Sequence, residues 1–109
     1  WNDLNRPSDQ LKHKLNVLKG HCADVGRNYD DIRKTLAVRV FIETSHETAV
    51  KRAAAFEGIS VAGDPVSVVD QFNAIAELGF DLCILNFPAH FQNMNDVRLF
   101  MDKVMPAFR

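Results

Sequence analysis

Three side chains sit where an α/β enzyme would use them. Glu43 follows the apolar run Leu36–Ile42, while Asn86 and His90 follow the run Leu82–Leu85. All three fall at the C-terminal edges of expected strands, and in parallel barrels that edge is the active face. A carboxylate, a carboxamide and an imidazole there can meet a cofactor or substrate, so these are the substrate-pocket candidates. No second carboxylate is placed beside Glu43 by spacing, which leaves an acid–base pair unsupported. Catalytic and cofactor-binding residues stay unassigned.

Other chemistries lack their spacing. His13, His21, His46 and His90 are the only histidines, and none has the i, i+4 or close-cysteine spacing of a metal site. His21 and Cys22 are consecutive, so on a helix they diverge by about 100°. No metal is expected. There is no P-loop, serine elbow or Gly-x-Gly-x-x-Gly. The helix start at Gly63-Asp64-Pro65 offers amides to a phosphate, but Asp64 brings a competing charge, and capping accounts for it. Phe87, Phe91 and Tyr29 are scattered, as loop and core anchors are, rather than grouped as a stacking platform.

The elements that must position these groups follow from periodicity. Leu11, Leu15, Leu18, Cys22 and Val25 predict a helix of about 18 residues from Ser8, with Ser8 as N-cap and Gly26 as its stop. Residues 34–43 predict a strand with Leu36, Val38, Val40 and Ile42 on one face and Thr35, Ala37, Arg39 and Phe41 on the other. Both faces are partly apolar, as in a covered α/β strand. Thr44 to Glu47 matches a capping box, opening a helix from Glu47 to about Glu57 with Ala49, Ala53 and Phe56 inward. Asp64 caps a helix with Pro65 in its first turn. Val66, Val69, Phe72, Ile75 and Ala76 form its apolar stripe, and Gly79 ends it. Residues 80–87 predict a second strand, buried on both faces from Leu82 to Leu85. A last helix from about Asn95 turns Val97, Phe100, Met101 and Val104 inward and stops at Pro106.

Size and charge narrow the partners. One hundred and nine residues, 47% apolar and 25% charged, read as one α/β domain over 1–109 of ordinary globular composition. A net charge of −1 with scattered basic residues gives nucleic acid and anionic membranes nothing to attract. No run approaches 18 apolar residues, so no membrane span is expected. Cys22 and Cys83 read as reduced thiols of a cytoplasmic protein.

Helix, strand, helix, helix, strand, helix, with two main parallel strands, is the order of a partial (β/α) barrel; a whole barrel takes about 250 residues. The details resemble the C-terminal third of the bacterial-luciferase-like flavin- or deazaflavin-dependent monooxygenases. Trp1-Asn2 stands where that family has Ala-Asp-Gly-Trp-Asn. Leu15–Leu18 with His21–Asn28 resembles its helix ending in a Gly-Arg-Asn/Asp turn. Gly63-Asp64-Pro65 stands for Gly-Thr-Pro or Gly-Ser-Pro, Leu78-Gly79-Phe80-Asp81 precedes the final strand, and Val104–Arg109 resembles the closing Val-Leu-Pro-Ala-Leu-Arg.

The resemblance implies a barrel that binds FMN or a deazaflavin coenzyme at the strand C-termini for oxidoreductase or monooxygenase chemistry. The family's glycine-rich phosphate-holding segment lies just before the Trp-Asn position. The 109 residues are therefore expected to be catalytically incompetent alone, to bind no cofactor alone, and to meet a small-molecule substrate only within an intact barrel. Apolar strands with free edges also predict a homodimer or higher homo-oligomer. Two alternatives remain: a stand-alone oligomeric binding or assembly module derived from the barrel's terminal units, and a small independent enzyme using Glu43, Asn86 and His90.

Overall fold

The computed structural model describes residues 1–88 and 93–108. Among these residues four parallel strands alternate with four helices: β1 Asn2–Leu4, α1 Ser8–Val25, β2 Thr35–Ile42, α2 His46–Ala53, β3 Val61–Gly63, α3 Pro65–Glu77, β4 Leu82–Asn86 and α4 Asn95–Lys103. Short 3-10 turns cover Tyr29–Asp31 and Met105–Phe108. The sheet is organised around β2. Strands β1 and β4 both pair with its first half, Asn2 and Leu82 each opposite Thr35, so they lie on opposite edges. Strand β3 pairs with its last three residues, Val61 opposite Val40.

Strands β2 and β4 are the two that the apolar runs predict. Strands β1 and β3 have only three residues each, too short for an alternation to show against their flanks.

Alternation along β2 divides the sheet into unlike faces. Leu36, Val38, Val40 and Ile42 are buried and join Leu11 and Leu15 of α1, Val68, Phe72 and Ile75 of α3, and Phe100 and Val104 at α4 in one core. Cys83 and Leu85 of β4 pack against the same core. In-register neighbours of a parallel sheet point the same way, so the opposite face carries Asn2, Leu4, Thr35, Ala37, Arg39, Leu82, Ile84 and Asn86. Here Leu4, Leu82 and Ile84 are 63%, 44% and 51% exposed. The expectation that Leu82–Leu85 is buried on both faces is thus corrected: helices cover one face of β4 and leave the other open. An open parallel sheet with helices on one side and aliphatic side chains bare on the other has the form of a barrel sector seen from its interior.

Helix ends follow the local chemistry with small offsets. Gly26 adopts φ 73°, and the Arg27 amide donates to the Cys22 carbonyl at 2.8 Å, closing α1 as a left-handed glycine cap. Its start differs from expectation. Pro7 is the N-cap, with no side-chain cap, and Ser8 is already helical. Asp64 caps α3 as expected, accepting from the Ser67 amide at 2.9 Å. The cap of α2 is Ser45 rather than Thr44. It accepts from the Thr48 amide at 3.4 Å, because the helix begins one residue later than a Thr44 capping box requires. That helix stops at Ala53, and Phe56 folds back to lie 5.1 Å from the Phe41 ring.

Five residues expected on inward faces are exposed: Val25, Phe56, Val66, Ala76 and Met101. Val25 occupies the last helical position of α1 before Gly26. On α3 the buried line is Val68, Phe72 and Ile75, which leaves Val66 off the inward face. On α4 the buried positions are Asp96 and Phe100, followed by Val104, so a carboxylate occupies a place on the inner face.

Candidate functional site

Two of the three candidate residues lie in separate clefts. Glu43 lines one of about 330 Å³ with Thr44, Asn95, Asp96 and Arg98, where β2 ends against α4. Asn86 lines another of about 430 Å³ at the C-terminal ends of β1 and β4, with Leu4, Asn5, Arg39, Gly58 and Ile59. His90 lies outside the described residues. Among the described residues no group of histidine, cysteine and carboxylate side chains could hold a metal.

Around Glu43 the geometry is that of a structural ion cluster. Arg52 Nη1 of α2 donates to Glu43 Oε1 at 3.1 Å and to Asp96 Oδ1 at 3.0 Å. The other oxygen of Asp96 accepts from the Ile42 amide at 3.3 Å. One guanidinium therefore bridges two carboxylates and ties the end of β2 to α2 and α4. Arg52 also lies 5.4 Å from the Phe41 ring. Because Glu43 already accepts from Arg52, the cluster holds the strand end in place. Spacing could not reveal it, since Asp96 is 44 residues from Arg52 in sequence.

The Asn86 cleft is different. Arg39 of β2 is the register partner of Asn86 and shares its face. Its Nη2 donates to the Glu57 carbonyl, and its guanidinium lies 5.5 Å from the Phe56 ring. In the sequence Arg39 is one basic residue among scattered others; only strand alternation with β4's register puts it beside Asn86.

A second charged cluster anchors β1. Asp3 accepts from Arg6 Nε at 3.2 Å and is paired with Lys14 Nζ at 3.0 Å. Burial by itself would raise its carboxyl. Hydrogen bonds from Lys14, the Leu4 amide and Arg6, with the nearby Arg6 charge, outweigh that and hold it below the ordinary 3.8. A carboxylate with a depressed folded value stabilises the protein above its unfolded value, and that contribution is lost as pH falls through the folded one. Urea unfolding between pH 6 and pH 3 is therefore expected to show a loss of stability below about pH 4 that is shallower in Asp3→Asn. Parallel pH profiles for the two proteins would contradict this.

The remaining perturbed groups are placed by packing. Burial pushes the Cys83 thiol up, and burial, then nearby charge, raises the Tyr29 hydroxyl. Both cysteines are free. Tyr29 lies under the Lys34 ammonium at 4.4 Å, and buried Lys34 also donates to the Ile32 carbonyl at 2.9 Å. Among the described residues no helix is long and apolar enough to cross a membrane.

No family model and no curated protein matches the sequence. Solved structures do match in fold. A riboflavin lyase, crystallised with modified FMN and its substrate riboflavin, superposes over 99% of this chain with a TM-score of 0.76 at 16% identity. A monooxygenase of Streptomyces bottropensis superposes over 99% with a TM-score of 0.67 at 14% identity. The chain spans only 38% and 41% of those two proteins, so what they share with it is the fold of one part.

Proposed function

We propose that these 109 residues are one α/β unit forming the C-terminal sector of a luciferase-like, flavin-dependent barrel oxidoreductase or monooxygenase, and that they are catalytically incompetent without the rest of the barrel. The observation that carries this reading is the bare sheet face. Leu4, Leu82 and Ile84 are aliphatic and exposed on one side, while helices cover the other. A closed barrel would bury that face as its interior. The structural likeness to a lyase crystallised with modified FMN supports a flavin as the cofactor; a deazaflavin coenzyme is the alternative carried by the sequence resemblance.

The residues present fit only the rim of such a site. Asn86 and Arg39 place a carboxamide and a guanidinium at the strand C-termini, where they would hydrogen-bond the polar edge of a bound ring or substrate. No glycine-rich cradle for a phosphate accompanies them. The chemistry such a site would gain from a reduced flavin is hydride transfer or reaction with oxygen. The Glu43–Arg52–Asp96 cluster fixes the end of β2 from which such a pocket would be built. Free thiols at Cys22 and Cys83 favour a cytoplasmic setting.

The test is the coding sequence read in phase upstream of Trp1. The reading expects further strand–helix units there, with a glycine-rich segment just before Trp1; an unrelated fold in that position would overturn it.

The same bare face favours a second reading, a stand-alone homo-oligomeric module in which two copies cover each other's aliphatic side chains. Sedimentation of the 109-residue chain is expected to show a dimer or larger species. A compact monomer at micromolar concentration would remove this alternative.

A further inference from the structure

We infer that the cleft between β1, β2 and β4 binds an oxyanion, the carboxylate or phosphate head of a small ligand with an apolar body, on the Arg39 guanidinium with Asn86 alongside. This goes beyond the flavin reading and stands on the cleft of this chain alone. Arg39 is half-buried, and its protein partners are a neutral carbonyl, that of Glu57, and the face of Phe56. A guanidinium has five N–H donors in a planar fork, so this contact leaves most of them unused.

The neighbouring cations are differently placed. Arg6 and Lys14 are neutralised by Asp3, and Arg52 by Glu43 and Asp96. Arg27, Arg33 and Arg98 are exposed to solvent. Among the described residues no carboxylate lies within ion-pair distance of Arg39. The guanidinium opens onto the cleft, so its unused donors are accessible to a ligand. A ligand oxyanion would supply both the charge and a bidentate partner for the fork.

The surroundings hold the group ready. Gly58 has φ 82°, and a Cβ there would come within 3.2 Å of Arg39 Nη2, so glycine lets the loop after α2 close on the guanidinium. Asn86 is in register with Arg39 across β2 and β4 and presents a carboxamide to the same space. Leu4 and Ile59 give the cleft apolar walls, which suit the body of a ligand whose charged end meets Arg39.

The test is a titration of the 109-residue chain with benzoate and with phenyl phosphate, with benzyl alcohol as the uncharged comparison. Binding is followed by the NMR shifts of the Arg39 Nε–H, the Asn86 side-chain amide and the Gly58 amide. Saturable millimolar binding of at least one anion, and none of the alcohol, is expected. The preferred anion separates a carboxylate from a phosphate ligand. Arg39→Gln should weaken binding about tenfold or more. Arg39→Lys, which keeps charge without the fork, should give an intermediate loss and serves as the folded comparison if the glutamine variant unfolds. The inference is overturned if neither anion saturates, if the alcohol shifts the same signals equally, or if binding survives in both variants. Failure of flavin to bind leaves this titration unaffected, so the two readings fail separately.

Discussion

Leu36→Ala is expected to lower the unfolding free energy by about 3–5 kcal/mol, the upper range for emptying a well-packed aliphatic site. Leu36 is fully buried. It lies where β2 is paired on both edges, opposite Asp3 of β1 and Cys83 of β4. Because both edges are paired, the backbone has little freedom to collapse into the space left behind. Small domains have only about 5–15 kcal/mol in total, so the variant should lose a large part of its cooperative transition. Urea unfolding with an unchanged m value is the measurement. Leu36→Met, which nearly conserves volume, should cost less than about 1.5 kcal/mol. The partner experiment is Ile84→Ala on the bare face, where a deletion of similar size should change the stability of the folded unit by no more than about 0.5 kcal/mol. Equal costs at Leu36 and Ile84 would contradict the two-faced sheet.

Asp96→Ala carries the second large effect, a loss of about 2–3 kcal/mol. Its carboxylate is buried and serves two donors from different elements, the Ile42 amide and Arg52 Nη1. Removing it leaves the Ile42 N–H at a strand end without its acceptor, the more damaging of the two losses. Arg52 keeps Glu43 and is partly solvated, which places the cost below that of a wholly buried pair. Thermal unfolding should shift downward by roughly 10–20 °C for a domain of this size. Arg52→Ala should be milder, because it leaves the Ile42 hydrogen bond in place. A shift of only a degree or two for Asp96→Ala would show that the cluster does not hold α4 to the sheet.

Much of this fold was legible because its signals are local. The step of three and four through Leu11, Leu15 and Cys22, the Gly26 stop, the Asp64 cap and the alternation from Leu36 to Ile42 each lie within one element. What escaped depends on contacts between elements. Strand β1 and strand β3 exist because β2 offers them hydrogen bonds, and three residues carry no pattern of their own. The continuous apolar run at Leu82–Leu85 reads as doubly buried, yet only Cys83 and Leu85 meet helices. In a closed barrel Leu82 and Ile84 would also be covered, so the run fits the interior of such a barrel.

The site was less legible than the fold. Glu43 and Asn86 stand at strand ends, where their sequence positions put them, but sequence cannot tell that they line different clefts. Nor could it tell that Glu43 is tied up with Arg52. Asp96 and Arg39 were missed for opposite reasons. Asp96 sits among surface-type residues of an amphipathic helix, and its burial is fixed by β2. Arg39 alternates onto an apolar-looking face, and its partner Asn86 is 47 residues away, brought alongside only by the parallel pairing of β2 with β4.

The most direct measurement of the central claim is an FMN titration, repeated with a deazaflavin coenzyme, followed by flavin fluorescence. It is made on the 109-residue chain and on the same chain extended in phase through its upstream coding segment. If these residues are one sector of a flavin barrel, the short chain shows no saturable binding at micromolar cofactor and the extended protein binds one cofactor per barrel. Stoichiometric binding by the 109 residues alone, or none by the extended protein with either cofactor, would contradict it.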